Sequence, residues 1–168
     1  GVKGSKWFRL IDKVYAPRNL QQAFAAVWGN EGSPGVDRQT VEAFAAQHTE
    51  ELGKLSQQLQ ERTYRPQPVR RVWINKLGSH EKRPLGIPVV RDRVVQAALK
   101  QVIEPIFERE FAGTSYGFRP GRGCQPALER VEGLLSAGYT WVVDADLKSY
   151  FDTIPHERLL ARVQERIA

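Results

Sequence analysis

Tyr139-Thr-Trp-Val-Val-Asp-Ala-Asp-Leu-Lys-Ser-Tyr-Phe-Asp152 is the stretch on which the reading of the fold turns. Up to Leu147 it predicts a β-strand, the clearest in the chain. Period-two alternation puts Trp141, Val143, Ala145 and Leu147 on one face, and Thr140, Val142, Asp144 and Asp146 on the other. Two carboxylates at the end of an otherwise apolar strand are costly to bury unless something cationic meets them. A divalent metal would do so, since magnesium takes one or two carboxylates together with substrate phosphates. Helix N-termini or local arginines would serve equally, and the strand by itself leaves both readings open.

Upstream, the sequence predicts helices first and a hairpin second. Pro17 to Trp28 starts with a helix-initiating proline and places Leu20, Phe24, Val27 and Trp28 on one face. Gly29 to Gly35 breaks that helix, and its three glycines and one proline permit close backbone approach or a flexible connection. Asp37 or Thr40 can cap a helix carrying Val41, Phe44 and Ala45 inward, and a further helix uses Leu52, Leu55 and Leu59. From Val69 to Lys76 alternation predicts a strand with arginines on both faces. Pro84 to Pro88 predicts a second extended piece whose prolines suit an edge. The turn Leu77 to Glu81 completes a basic hairpin. Asp92 can cap the longest helix, with a stripe of Val95, Ala98, Leu99, Val102, Ile103 and Ile106, kinked at Pro105. Ser115 to Gly123 is a loop dense in glycine, aromatic and arginine residues. A helix burying Ala127, Leu128, Val131 and Leu135 follows it, and Pro155 starts a last helix through Leu159, Leu160 and Val163.

The bulk numbers narrow the partners. The 168 residues are 41% hydrophobic and 10% aromatic, which suits a globular domain, and carry a net charge of +6 with pI near 9.7. Between Arg62 and Arg93 there are nine basic residues against only Glu81 and Asp92, so the rest of the chain is close to neutral. A local basic excess without matching acids points to nucleic acid or nucleotide phosphate, with Arg70 and Arg71 among its contacts. The single cysteine, Cys124, excludes an internal disulfide and sets an intracellular expectation. His48, His80 and His156 lie far apart, which argues against structural zinc. No apolar stretch approaches the length of a membrane span, and the expectation is a soluble, untranslocated, cytoplasmic protein.

Several short elements stand in one order along the chain. They are Gly32-Ser-Pro-Gly-Val-Asp37, Lys76 ahead of Arg83-Pro-Leu-Gly-Ile-Pro88, and Asp92-Arg-Val-Val-Gln96. After these come Glu104-Pro-Ile-Phe-Glu108, Ser115-Tyr-Gly-Phe-Arg-Pro-Gly-Arg122, and Asp146-Leu-Lys-Ser-Tyr-Phe-Asp152 with Thr153-Ile-Pro-His156. In this order they resemble the reverse transcriptases encoded by group II introns, and the resemblance runs from about Tyr15 to the end. It implies an α+β architecture: mainly helical fingers with a basic β-hairpin, leading into an incomplete antiparallel palm sheet of a right-hand polymerase. Residues 1–138 would form an N-terminal extension and fingers, and 139–168 the start of the palm.

By this resemblance Asp146 is the catalytic carboxylate that holds two magnesium ions, with the Leu147 carbonyl as a further oxygen ligand. Such a pair stabilises the attacking 3′-oxygen and the leaving pyrophosphate of an in-line displacement. Lys76 and Arg83 would grip the triphosphate of the incoming deoxynucleotide, although both also suit a generic phosphate-backbone contact. Phe151 would be the steric gate under the sugar, or else a core aromatic. Arg119 would meet primer–template, or else hold a salt-bridged turn. Gly35 and its loop would lie near template RNA. Asp144 is expected to be peripheral, and Cys124 inert.

The chain departs from the family at Asn75, where a proline is common, and in lacking the aromatic-Ala-Asp-Asp strand turn that carries the second aspartate pair. The expectation is therefore an inactive piece when alone, with an apolar palm edge that could drive self-association. The function implied is an RNA-directed DNA polymerase linked to splicing and retrohoming, acting on RNA template, primer, intron RNA and deoxynucleotide triphosphates. The alternatives are an RNA-binding maturase-type splicing factor and a non-intron bacterial reverse transcriptase such as a CRISPR-associated one.

Overall fold

The computed structural model describes residues 6–75, 78, 80–147 and 149–168. It divides by packing into two compact units, Trp7–Glu104 and the part that begins at Pro105. This division lies elsewhere than the 138/139 boundary drawn between fingers and palm.

In the first unit four helices come first: α1 (Ile11–Val14), α2 (Pro17–Asn30), α3 (Val41–Ala45) and α4 (His48–Gln60). Leu20, Ala23 and Val27 recur at helical spacing on α2, and Leu52, Leu55 and Leu59 on α4. With Val14, Val41 and Phe44 they form the core, completed by Val90, Val94 and Ala98 from α5 (Val90–Phe107). Burying each of the Val, Leu and Phe side chains among them contributes about 1.5–3 kcal/mol. Phe24 stands between the rings of Phe44 and His48, at 5.3 and 5.5 Å. Trp28, expected inward, is 47% exposed, with its ring 6.3 Å from Phe24 at the rim of this cluster.

Of the two candidate caps for α3, Thr40 fills the role, its Oγ1 accepting from the Ala43 N–H at 3.2 Å. Asp37 instead accepts from the Gln39 N–H in the preceding turn. Strands β1 (Arg70–Asn75) and β2 (Lys82–Ile87) pair antiparallel, from Arg70 opposite Ile87 to Asn75 opposite Lys82. The expected apolar stripe on α5 is turned toward Val90, Val94 and Ala98, which leaves Leu99 45% exposed. The Ala98 carbonyl sits where Asn19 Nδ2 reaches it at 3.1 Å while also donating to the Val14 carbonyl, so this polar tie accompanies the buried line.

The second unit contains α6 (Cys124–Ser136), α7 (Tyr150–Thr153) and α8 (His156–Gln164). The expected strand from Tyr139 to Leu147 is absent. That segment carries no ladder pairing, Trp141 is 97% exposed and Val143 93%, and β1–β2 is the only sheet among the described residues. A strand exists only through hydrogen bonds to a neighbour, and the described residues provide none here. The palm sheet expected from the sequence is not seen among the described residues. The apolar stripe of α6 is likewise not buried: Leu128, Val131 and Leu135 are half or more exposed. Local periodicity suffices to wind an amphipathic helix, but burial requires a second element laid on its face. A fork of Arg166 on Glu110, at 2.6 and 2.7 Å, fastens the end of α8 and raises the arginine's pKa.

Candidate nucleotide and nucleic-acid site

The hairpin register sorts the basic cluster into two faces. Period two puts Arg70, Val72 and Ile74 on one side, opposite Ile87, Leu85 and Arg83. The three β1 residues on this side are half-buried, whereas Arg71, Trp73 and Asn75 on the other side are exposed. Arg83 thus shares a face with Ile74, and Arg71 and Trp73 share one with Lys82 and Pro84. Lys76 lies outside the described residues.

Several arginines of the cluster are occupied within the protein. Arg93 donates to the carbonyls of Pro88, Glu31 and Ser33, the last at 2.6 Å. Arg70 Nε donates to the Pro34 carbonyl at 2.9 Å. Together they hold the carbonyl side of the loop after α2. Arg91 bonds Gln58 and lies 5.9 Å from the Tyr64 ring, and Arg65 donates to the carbonyls of Arg62 and Tyr64. Arg71, Lys82 and Arg83 are the exposed cations of the hairpin among the described residues.

Gly35 belongs to this packing. It is buried, and a Cβ there would meet Val89 N, Cα and Cγ1 at 2.7 Å. Its glycine is required for close approach to the start of α5, so the flexible-connector reading of this position is overturned. Gly32 supplies the left-handed turn, φ 107°.

Asp92 is not a cap. It lies inside the first turn of α5, 2% exposed, and accepts from the Tyr64 hydroxyl at 2.6 Å and the Gln67 N–H at 2.8 Å. Burial and this acceptor push the Tyr64 pKa well above its ordinary value. The pair joins the chain entering β1 to the helix leaving β2, which sets the base of the hairpin. Sequence reasoning missed it; the usable signal was a tyrosine just ahead of Arg65-Pro-Gln-Pro68 and one of only two acids in a basic stretch.

In the second unit Arg119 forms the salt-bridged turn. Its guanidinium meets Glu108 at 2.7 Å, donates to the carbonyls of Ala112 and Ser115, and lies 5.3 Å from the Phe111 ring. The side chain is only 7% exposed. Hydrogen bonding from Arg119 lowers the Glu108 pKa. Arg122 adds a bond to the Gly113 carbonyl and approaches the Tyr116 ring. Between the two arginines' contacts, Phe118 holds a left-handed φ of 55° and is 99% exposed.

Asp146 is exposed, and its Oδ1 accepts from the Leu147 N–H at 2.9 Å. Asp144 and Asp152 are exposed as well, and no cluster of three metal-binding side chains occurs among the described residues. The Asp146 carboxylate and the Leu147 carbonyl are hard oxygen donors, the kind magnesium prefers. Phe151, in the short helix α7, is 80% exposed with its ring 5.4 Å from Tyr150 in an edge-on arrangement. Phe151 packs into no core among the described residues. Asp146, Leu147 and Phe151 belong to one unit and Arg83 to the other.

Residues 74–167, more than half of the chain, match the reverse transcriptase (RNA-dependent DNA polymerase) family, and the chain belongs to it. It is 40% identical over 166 residues to Protein YkfC of Escherichia coli K12, covering 95% of this chain and 43% of that protein. It is 35% identical over 161 residues to the group II intron-encoded protein LtrA of Lactococcus lactis, covering 95% of this chain and 26% of that one. A shorter stretch of 62 residues is 44% identical to nuclear intron maturase 2, mitochondrial, of Arabidopsis thaliana, 37% of this chain and 8% of the maturase. The chain therefore spans less than half the length of these relatives.

Proposed function

We propose that the protein works as an RNA-directed DNA polymerase of the group II intron type, and that these residues supply its fingers and the first metal-binding segment of its palm. The observation that carries this reading is the family match over 74–167, which contains Lys76, Arg83 and Asp146. In this reading Asp146 and the Leu147 carbonyl hold magnesium, and Lys76 and Arg83 hold the nucleotide triphosphate. Phe151 excludes a 2′-hydroxyl by bulk. The exposed position of Phe151 and the exposed Arg83 suit groups that meet a substrate rather than a core. Arg119 acts on primer–template through the loop it anchors, since its own donors are engaged. Gly35 and Arg70 act through the loop they position. RNA template, primer, intron RNA and deoxynucleotide triphosphates are the partners.

The test is primer extension on an RNA template, with the protein at the length of its relatives. Asp146→Ala should abolish extension while leaving RNA binding intact, and Asp144→Ala should be much milder. Equal loss in both would reject Asp146 as the particular ligand. The 168-residue chain alone should give no extension with magnesium, because it contains a single carboxylate segment of a site that needs two. A maturase-type RNA-binding role is the second reading, supported by the stretch shared with an intron maturase. Loss of splicing activity with Asp146 dispensable would favour it.

A further inference from the structure

The outer face of the hairpin has no role in the proposed nucleotide grip. Arg83 sits on the opposite side, in register with Ile74. On the outer face Trp73 is 58% exposed and Val69 52% exposed, with exposed Arg71 between them along β1. Across the strand pair, Pro84 stands opposite Trp73, and exposed Lys82 is one pairing step along the same face. Gly86, opposite Arg71, leaves room for Val69, whose Cγ2 would lie 3.1 Å from a Cβ there. The register therefore presents an indole between two cations, and no acidic residue shares the paired positions of this face.

An exposed tryptophan in a strand is an uncommon use of a large apolar surface, and on a single side chain it says little. The flanking charges say more. A π-face beside two cations offers stacking to a base and phosphate contacts to the nucleotides on either side. A duplex keeps its bases stacked within the helix, so only an unpaired base can use the indole.

We propose that Arg71, Trp73 and Lys82 form a second RNA-binding surface, a stacking platform for an unpaired base of single-stranded RNA, on the side of the hairpin opposite Arg83. It rests on the proposed RNA-dependent function and adds to it a surface that discriminates unpaired from paired RNA. Trp73 supplies the stack, and Arg71 and Lys82 supply sequence-independent charge.

The experiment is fluorescence anisotropy with labelled single-stranded and fully duplex RNA oligonucleotides, on the 168-residue chain and its Trp73→Ala, Trp73→Phe and Arg83→Ala variants. Circular dichroism checks that each variant is folded. Trp73→Ala should weaken single-strand binding about fivefold to a hundredfold, the loss of one base–aromatic stack, and change duplex binding less than twofold. Trp73→Phe should recover most of the loss. Arg83→Ala, a cation lost from the other face, should change the ratio of single-strand to duplex affinity less than twofold. Unchanged single-strand affinity in Trp73→Ala, or an equal loss on duplex, would overturn the platform while leaving the RNA-dependent function standing. If the parent chain binds no RNA at all, that function fails and the platform with it. Reduced self-association of Trp73→Ala in light scattering, with RNA affinity unchanged, would assign the face to a protein contact and also overturn the proposal.

Discussion

The Tyr64 hydroxyl donates to Asp92 Oδ1 at 2.6 Å, and the other oxygen of the same carboxylate accepts from the Gln67 N–H. One buried acid thus fixes the chain entering the hairpin onto the helix that leaves it. Tyr64→Phe removes one charge-assisted bond and should cost about 1–3 kcal/mol, while Asp92→Ala, which orphans both donors, should cost more. Urea denaturation gives both values. The raised Tyr64 pKa also sets a sign. Its contribution is complete below the ordinary tyrosine pKa near 10 and is lost as pH rises beyond that. The stability difference between the parent and Tyr64→Phe should therefore be constant at neutral pH and shrink above pH 10.

How far the sequence reached can be judged from these same residues. Helix periodicity found Leu20, Val27, Phe44, Leu52, Leu55 and Leu59 in the core, because local spacing alone decides which face of a helix is apolar. Alternation found the hairpin. Asp92 was misread because an acid ahead of a helix suits a cap, and its actual partner is Tyr64, 28 residues away. Arginine counting found the basic segment but could not separate Arg93 and Arg70, which hold backbone carbonyls, from Arg71 and Arg83, which are exposed. The strand through Asp146 failed for a different reason. Its pattern is that of a strand, yet pairing depends on a partner segment that these residues do not provide.

Gly35 gives a sharp distinction between packing and binding. A methyl group there meets the backbone of Val89 at 2.7 Å, where little can yield. Gly35→Ala should destabilise the protein by about 1–3 kcal/mol, as overpacking does. RNA affinity should fall only in step with that loss of packing. A denaturation curve paired with a binding isotherm checks both; a loss of affinity without a loss of stability would restore a direct contact at this loop.

Glu108 and Arg119 predict an acid-sensitive loop. The carboxyl pKa is held below its ordinary 4.5 mainly by the Arg119 hydrogen bond. A lowered pKa means that the stabilisation is present above pH 4.5 and is lost as pH falls through the folded value. Amide exchange over residues 112–122, corrected for its intrinsic pH dependence, should accelerate in that acid range. Arg119→Ala should show fast exchange already at neutral pH, with no further acid step. Arg119→Lys should resemble Arg119→Ala, because an ammonium cannot reach the Glu108 carboxylate and two loop carbonyls together.

The cations of the basic segment should separate by salt dependence. Phosphate contacts release counterions, so the slope of log affinity against log salt counts the cations that touch RNA. Arg71 and Lys82 are exposed on the hairpin, and each alanine variant should reduce that slope by about one while leaving stability within about 0.5 kcal/mol. Arg93 spends its guanidinium on the carbonyls of Pro88, Glu31 and Ser33. Arg93→Ala should therefore keep the slope and lose about 1–3 kcal/mol of stability, because three carbonyls lose their donor. Arg70→Ala should behave like Arg93→Ala to a smaller degree, as it gives up one bond to Pro34. If all four variants lowered the slope equally, the carbonyl-bound arginines would have to leave their partners on binding, and the loop from Glu31 to Pro34 would rearrange with the RNA.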